Sequence, residues 1–426
     1  MKSKKNYKKI VLKNGLRIIT IPQKETRAVT ILVLVGTGSK YETKEISGIS
    51  HFVEHMFFKG TAKRKNTKEI ADFLDKLGGE YDGFTGEEYT GYSAKIDAIH
   101  FDKALDWISD IFLNSKLSEV DIEKERGVII EEIKMHQDNA MRHIHQVWSE
   151  LLYGDQPAGW NLAGSKESVS KINRVDMLRY LNSQYVAKNT VICVAGSINE
   201  KEVVKKVEKY FAKIKTSDSK KQLDVIDFQD SPQIKLHYKD VEQSNLILGV
   251  RSYNAFHSDR YALRLLAIIL GGTMGSRLSV EVREKMGAAY YVATHSEDDT
   301  NTGYFATFAG VDDTKLEKVI TVILKEYKRV AKEKISAEEL KKAKDYIKGR
   351  IVLGLESSDA KASFYANQEL LKNNILSQEE IFEKIDKVTT KDIQRVAQDI
   401  FKTNRLNLAM ITRFKEENNF KKLLKI

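Results

Sequence analysis

The segment His51-Phe52-Val53-Glu54-His55 places two histidines four residues apart, with a glutamate directly before the second. Apolar residues recur around it at spacings of three and four, and Gly60 follows as a stop signal, so the pattern predicts a helix over 46–58. On a helix, positions i and i+4 lie one above the other, so both imidazoles can bind one cation. The segment therefore predicts part of a hydrolytic zinc site, with Glu54 placed to take a proton from water.

A motif this short also occurs by chance, so the prediction needs a third ligand. The best candidate lies on a second predicted helix over 118–137, which opens with Ser118 and an acidic first turn. Glu125 and Glu132 are seven residues, or two helical turns, apart and therefore share a face. We assign Glu132 as the third ligand and Glu125 as a carboxylate that orients a ligand histidine or tunes the local charge. The alternative for Glu132 is an ordinary surface glutamate.

Length and composition set the class of protein. At 426 residues, the chain is long enough for two domains with substantial cores. No apolar run reaches membrane-spanning length, and the start, Met1 to Tyr7, lacks the apolar segment of a secretory signal. We therefore expect a cytoplasmic protein with no membrane partner. The lone Cys193 cannot form an internal disulfide and is expected in a buried strand.

The net charge of +10 raises the question of nucleic-acid binding. The basic residues are scattered among 60 acidic ones, and dense basic runs occur only at the termini, over 2–9 and 421–425. Solvated helix faces explain this distribution better than a nucleic-acid surface, because no recognised binding motif accompanies the charge. We expect no nucleic-acid partner.

Features of the first half of the chain recur in the second half. Gly60-Thr61 recurs as Gly272-Thr273, Ser118 as Ser336, and Asn189 as Asn404, at offsets of 212, 218 and 215. A nearly constant shift of half the chain length predicts two copies of one domain, a divergent duplication. The predicted domains are 1–215 and 233–426, and the polar segment 216–232 is the predicted linker.

Each copy is predicted to be α+β, with a mixed β-sheet backed by helices. Asn14-Gly15 between two apolar runs predicts a β-hairpin. The run 28–35 is apolar throughout, as expected of a strand buried on both faces. A helix is predicted over 66–77, with Asn66 as its cap.

The H-x-x-E-H order of the first motif is the reverse of the thermolysin-type order and marks the inverzincins. Three motifs follow one another along the chain, His51 to Thr61, Glu125 to Ile133, and Arg283 to Tyr290. With these motifs the chain resembles the pitrilysin/insulinase family, close to its bacterial processing-peptidase-like branch. The resemblance covers nearly the whole chain.

The resemblance implies a zinc-dependent endopeptidase with one Zn²⁺ per subunit. In the family, the residues that match His51, His55 and Glu132 bind zinc. The residue that matches Glu54 is the catalytic base, and the one that matches Glu125 supports the site.

The second copy keeps the predicted helices and lacks the metal ligands. The positions that correspond to the four site residues are occupied by Leu263, Leu266, Ala267 and Arg350. This half carries Arg283 and Tyr290 instead, which look like the family's substrate-binding pair and are the donor types that steady an oxyanion. Tyr291 is a second candidate for the tyrosine, and Ala288 stands where the family usually has leucine.

The resemblance also implies a substrate-binding strand, an open edge to which an extended peptide adds as a further strand. The matching substrate-binding residues are Gly79, Tyr81, Asp82, Gly83 and Phe84. Asp82-Gly83 replaces the usual Asn-Ala, and glycine loosens a strand, so the cleavage preference of relatives is not carried over.

Four-domain members of the family place the Arg/Tyr pair of the last domain against the zinc of the first. A two-domain chain resembles half of such an enzyme, which implies a homodimer that encloses peptide substrates in a chamber, with Arg283 and Tyr290 acting in trans. Two alternatives stay open. One is a non-catalytic structural subunit of the same fold, and the other is a basic scaffold or binding module.

Overall fold

A computed structural model describes residues 6–426, so the first five residues of the amino-terminal stretch discussed above lie outside the described residues. The first half contains β1 (Lys8–Val11), β2 (Arg17–Pro22), β3 (Ala28–Val35), α1 (Ile49–Met56), α2 (Thr67–Asp75), β4 (Glu80–Thr85), β5 (Thr90–Asp97), α3 (Phe101–Asn114), α4 (Glu119–Asp138), α5 (Ala140–Tyr153), α6 (Lys166–Lys171), α7 (Arg174–Gln184), β6 (Thr190–Gly196) and α8 (Glu200–Tyr210). The second half contains β7 (Gln233–Tyr238), β8 (Ser244–Arg251), α9 (Arg260–Gly271), β9 (Ala289–Asp298), β10 (Gly303–Val311), α10 (Leu316–Lys332), α11 (Ala337–Gly354), α12 (Ser358–Lys372), α13 (Gln378–Asp386), α14 (Thr390–Ile400), β11 (Leu406–Thr412) and α15 (Asn418–Lys421).

These elements form two compact units. Unit 1 contains the described residues up to Ile133 together with Asn161–Leu223 and Val352–Ser377. Unit 2 contains Lys134–Trp160, Asp224–Ile351 and Gln378–Ile426. Neither unit is continuous in sequence.

The sheet of unit 1 has the strand order β1-β2-β6-β3-β5-β4. Strands β2 and β6 are parallel, and the other neighbours are antiparallel. The hairpin between β1 and β2 turns where it was predicted, because Gly15 adopts φ +90° and the Asn14 side chain accepts a hydrogen bond from the Leu16 N–H at 3.1 Å. Strand β4 lies at the edge of the sheet, next to β5 alone.

Strand β3 is apolar along its length because helices cover both faces of the sheet. Val29, Ile31 and Val33 belong to a core that also contains buried residues of α1, α3 and α7. Leu32 and Leu34 point the other way and pack with buried residues of α12. The expectation of a strand buried on both faces is confirmed. Cys193 lies on β6 in the second of these cores, where burial raises the pKa of its thiol.

The sheet of unit 2 repeats that of unit 1. Its order is β7-β11-β8-β10-β9, which matches β2-β6-β3-β5-β4 strand for strand and direction for direction. Three pairs of equivalent strands begin 216 residues apart, at Arg17 and Gln233, at Ala28 and Ser244, and at Thr190 and Leu406. The prediction of two homologous α+β domains is confirmed.

The two halves exchange one helix. Helix α5 belongs to the first half but packs on β7, β8 and β11 of unit 2. Its counterpart α12 belongs to the second half but packs on β2, β3 and β6 of unit 1. A division into 1–215 and 233–426 does not describe this exchange, and those boundaries stay a prediction. The predicted linker 216–232 contains no helix or strand.

Helix α12 is tied to unit 1 by buried polar contacts. The hydroxyls of Thr30 and Ser358 are 2.8 Å apart. The Glu369 side chain is 1% exposed and lies 2.6 Å from the Lys9 ammonium and 3.6 Å from the Arg17 guanidinium. Removing a buried carboxylate that pairs with two cations leaves both positive charges without a compensating negative charge.

We expect Glu369→Ala to lower the free energy of unfolding by roughly 3 kcal/mol, because Arg17 would keep a half-buried charge without its partner. Chemical denaturation measures the change. The matched control is Glu383→Ala on α13, an exposed helical position, which should stay within about 0.5 kcal/mol of wild type. A loss at position 369 no larger than in this control would mean that the contact does not hold α12 in place.

Among residues 6–426, no helix is both long enough and apolar enough to cross a membrane.

Candidate functional site

Helix α1 starts at a buried acidic cap. Gly48 precedes the helix with φ +92°, and a Cβ there would lie 2.5 Å from the Ala163 carbonyl oxygen, so only glycine fits. The buried Glu42 carboxylate accepts hydrogen bonds from the N–H groups of Gly48 at 2.7 Å and Ser50 at 2.8 Å. A carboxylate suits this position because the first N–H groups of a helix have no partner within it and carry partial positive charge.

Further hydrogen bonds fix the orientation of α1. The Ser50 hydroxyl lies 2.7 Å from the Tyr180 hydroxyl, which in turn lies 2.8 Å from that of Thr37. At the other end, the Ser115 hydroxyl donates to the Met56 carbonyl oxygen at 3.0 Å. Both ends of the short helix are therefore tied to other parts of unit 1.

The helix brings His51 and His55 together with Glu132 of α4. The two Nε2 atoms are 3.2 Å apart, and Oε2 of Glu132 lies 3.7 Å from each of them. His51 is 8% exposed, and the side chains of His55 and Glu132 are 20% and 29% exposed. In the part of the chain that the structure describes, this is the one group of three such side chains that could hold a metal ion.

The dimensions of this group fit zinc. The three distances define a triangle whose circumscribed circle has a radius of about 2.1 Å, the length of zinc bonds to histidine nitrogen and carboxylate oxygen. The two Nε2 atoms and the carboxylate oxygen converge in a largely buried place, an arrangement that favours a shared cation. Two imidazoles and a carboxylate are a common ligand set of catalytic zinc, which leaves a coordination position open.

Glu125 contacts His55 at Nδ1, the ring nitrogen that does not face the other two side chains of the group. Its Oε1 lies 2.8 Å from Nδ1 of His55, and its Oε2 lies 2.6 Å from the Lys59 ammonium. Burial raises the pKa of Glu125, but the hydrogen bonds from His55 and Lys59 outweigh it and leave the pKa below its usual value. An ionised carboxylate at Nδ1 keeps the proton on that nitrogen, so Nε2 presents its lone pair to the site.

Glu54 lies beside the group, under strand β4. It is 9% exposed, and its Oε2 accepts a hydrogen bond from the Thr85 hydroxyl at 3.1 Å. Burial raises the pKa of Glu54, and the nearby carboxylates of Asp82 and Glu132 add to the increase, whereas His55 and Thr85 oppose it. A buried carboxylate with a raised pKa is well suited to accept a proton and release it again.

The predicted substrate-binding residues lie on and just before the edge strand β4. Gly79 precedes the strand, and Asp82 is exposed on it. The Tyr81 ring packs 5.2 Å from that of Trp107, and the Phe84 ring lies 6.1 Å from that of Tyr89. Gly83 faces α1, where a Cβ would lie 2.7 Å from the Phe58 ring and 3.0 Å from Oε1 of Glu54.

Arg283 and Tyr290 lie in unit 2. Arg283 is exposed on a π-helical turn, Ser279–Lys285. Tyr290 is 80% exposed, at a register shift where β9 bulges against β10. The neighbouring Tyr291 donates its hydroxyl to Oδ1 of Asn245 at 3.0 Å, and burial raises its pKa to about 12. Of the two tyrosines, Tyr290 has the hydroxyl more open to a ligand, because bulges re-aim side chains.

Three residues of the site were not predicted from the sequence, namely Glu42, Lys59 and Thr85. Lys59 follows His55 by four residues, and this spacing alone could have indicated it. Glu42 and Thr85 reach α1 from a loop and from a strand, and nothing in the local sequence signals either contact.

The fold and the site define a duplicated α+β protein with an H-x-x-E-H motif whose histidines lie beside Glu132 in a group that could hold a metal ion. The family model described as insulinase (peptidase family M16) matches residues 17–166, and the model described as the peptidase M16 inactive domain matches residues 171–347. The chain belongs to peptidase family M16, the pitrilysin/insulinase family.

Several relatives cover nearly the whole chain. The uncharacterized zinc protease YmxG of Bacillus subtilis is 34% identical over 405 residues, which are 95% of this chain and 98% of that protein. The crystal structure of a protease from Helicobacter pylori superimposes with a TM-score of 0.89 at 26% identity, over 95% of this chain and 99% of that one. A chain of Complex III2 from Candida albicans, 18% identical with a TM-score of 0.82 over 98% and 100% of the two chains, shares the fold.

The cap of α1 makes a pH-dependent contribution to stability. Burial raises the pKa of Glu42 from 4.5 to about 7, although hydrogen bonds to Ser50 and Gly48 oppose the increase. The Glu42 carboxyl group therefore binds a proton more tightly in the folded protein than in the unfolded chain. The stabilisation is complete below pH 4.5 and is lost as the pH rises through 7.

We expect the stability of wild type relative to Glu42→Gln to fall by roughly 2 kcal/mol between pH 5 and pH 8. Urea denaturation of both proteins at both pH values measures this difference. The control is Glu208→Gln, at an exposed position of α8, which should stay within about 0.5 kcal/mol of wild type at both pH values. A pH-independent difference for Glu42→Gln would show that this carboxylate does not titrate in this range.

Proposed function

We propose that this protein is a zinc-dependent endopeptidase that cleaves extended peptides or unfolded protein segments. The observation that carries the proposal is the convergence of His51, His55 and Glu132 on a space of zinc dimensions, with Glu54 buried beside them. Membership of a peptidase family and zinc proteases among the relatives support it.

The residues divide the chemistry between them. Zinc, held by His51, His55 and Glu132, would supply a Lewis acid and a water of lowered pKa. Glu54 takes the proton of the attacking water and passes it to the leaving amine. Glu125 keeps the His55 ring in the orientation that ligation needs.

The edge strand β4 offers a place for the substrate. Its outer side has no neighbouring strand in the described sheet, so its main-chain groups can pair with an extended peptide. Main-chain pairing accepts many sequences, whereas contacts with the side chains along the strand would set modest preferences, and the residues proposed to line the substrate are Gly79, Tyr81, Asp82, Gly83 and Phe84. We therefore propose peptides and unfolded segments as the class of substrate.

Replacement of Glu54 tests the chemistry directly. We expect Glu54→Gln to keep one zinc per chain and to lower kcat on a quenched fluorescent peptide by at least ~100-fold, because the amide cannot accept the proton. Metal analysis and peptide cleavage, with and without a chelator, measure both quantities.

Wild-type activity that survives complete removal of metal would contradict the proposal. The alternative, a non-catalytic subunit of the same fold, predicts no chelator-sensitive cleavage by wild type. A cytoplasmic location stays a prediction, which cell fractionation tests.

We further propose that two chains pair as a homodimer and that Arg283 and Tyr290 of each serve the zinc site of the other. The second domain has no metal ligands and presents these two donors in exposed positions. A guanidinium and a phenol can bind the substrate and stabilise the negative charge that develops on the scissile carbonyl oxygen.

Mixing two inactive variants tests completion in trans. In a mixed dimer of Glu54→Gln and Arg283→Ala chains, one site has both an intact Glu54 and an intact Arg283. An equal mixture should therefore recover about a quarter of the wild-type activity, whereas each variant alone lacks ~99% of it. Mass spectrometry of the mixture verifies subunit exchange. A mixture that exchanges subunits and stays inactive would contradict the proposal that Arg283 and Tyr290 act in trans.

A further inference from the structure

One face of strand β4 is turned towards helices α1 and α3. Tyr81, Gly83 and Thr85 alternate with Glu80, Asp82 and Phe84, as successive residues of a strand do. Thr85 contacts Glu54, Gly83 lies against Glu54 and Phe58, and Tyr81 packs on Trp107. The strand that is open to a peptide on its outer edge is therefore in contact with the proposed base on one face.

Thr85 occupies a fixed position at the end of this strand. It pairs with Thr90 in the last step of the ladder between β4 and β5. Directly after it, the Gly86 N–H donates to the Tyr89 carbonyl oxygen at 2.8 Å and closes the hairpin. These contacts hold the main chain of Thr85, and the β-branched side chain has restricted rotation about χ1. The hydrogen bond therefore constrains the longer Glu54 side chain more than the threonine.

The close approach of the strand makes this contact possible. Gly83 has no side chain, and even an added Cβ would come within 3.0 Å of Oε1 of Glu54. One carboxylate oxygen of Glu54 therefore lies against the main chain of β4 while the other accepts the Thr85 hydroxyl at 3.1 Å. Both oxygens take their positions from the same strand.

We propose that Thr85 is a positioning residue for the general base, so that the strand that pairs with the substrate also sets the orientation of Glu54. This inference rests on the proposed function. Strand β4 would then position both the substrate peptide and the Glu54 carboxylate. Because residues repeat every ~3.3 Å along a strand, a peptide paired with β4 presents one carbonyl at a fixed distance from a base held by that strand.

The test compares three variants in the full-length zinc-loaded protein. Thr85→Val keeps the shape and removes the hydroxyl, and Thr85→Ser restores it. Thr30→Val removes a hydroxyl on the face of the same sheet that packs on α12, where it contacts Ser358. This control should keep wild-type kcat and KM.

We expect Thr85→Val to lower kcat on a quenched peptide about 10-fold, the effect of losing one hydrogen bond to a charged group. KM and zinc content should not change, because neither ligation nor main-chain pairing uses the hydroxyl. Thr85→Ser should recover most of the loss. A wild-type kcat for Thr85→Val, or a loss that appears only in KM or in zinc content, would overturn the inference.

Crystal structures of the wild type and the Thr85 variants supply a readout that does not depend on activity. The Glu54 carboxylate should occupy one position in wild type and Thr85→Ser, and should shift or become disordered in Thr85→Val. An unchanged carboxylate in Thr85→Val would overturn the positioning role even if peptides are cleaved. Absence of any metal-dependent cleavage by wild type would instead refute the proposed function and leave this structural readout valid.

Discussion

The site depends on two short stretches of different helices keeping a fixed position relative to each other, so that atoms 3.2 to 3.7 Å apart can surround one point. His51 and His55 come from α1 and Glu132 from α4, and their ligand atoms must converge on one point. Helix α1 has only eight residues, too few for its position to be set by its own hydrogen bonds. The rest of unit 1 sets it, with an acidic cap at one end, a hydroxyl at the other, and Glu125 clamped between His55 and Lys59. The precision of the metal group is thus a property of the whole unit.

The exchange of α5 and α12 extends this dependence to the whole chain. The sheet of unit 1 is apolar on both faces, and α12, which covers one of them, comes from the second half of the sequence. The sheet of unit 2 likewise receives α5 from the first half. Exposed apolar faces of this size are unfavourable in water, so neither half can bury its sheet alone. The second half of the chain therefore contributes to the fold of unit 1, which contains His51, His55 and Glu132.

Local patterns predicted much of this architecture. The alternation and turn chemistry around Asn14-Gly15, the apolar run of β3 and the histidine helix are properties of neighbouring residues, and the structure places them within a few residues of the predictions. The repeat in the sequence predicted the matching sheets, because equivalent strands keep a constant spacing along the chain. The helix exchange was not predictable, since α5 and α12 have the same pattern whichever sheet they cover. Thr85 was missed because its partner Glu54 lies 31 residues away in the sequence. Glu42 was missed because its partners, six and eight residues along the chain, are the main-chain N–H groups of Gly48 and Ser50, which leave no side-chain pattern in the sequence.

Helix α9 of the second copy lacks the side chains that are proposed to hold the metal in the first. At the 212-residue offset found in the sequence, the positions that correspond to His51, Glu54 and His55 are Leu263, Leu266 and Ala267 on α9, which are between 0% and 4% exposed. A ligand stripe must stay partly open to admit water and substrate, whereas this stripe is closed and contributes to the core of unit 2. In unit 2 this helix therefore has a structural role. Any contribution of unit 2 to catalysis has to come from exposed groups elsewhere, and Arg283 and Tyr290 on the turn and bulge next to its edge strand β9 have the exposure and donor chemistry for that role.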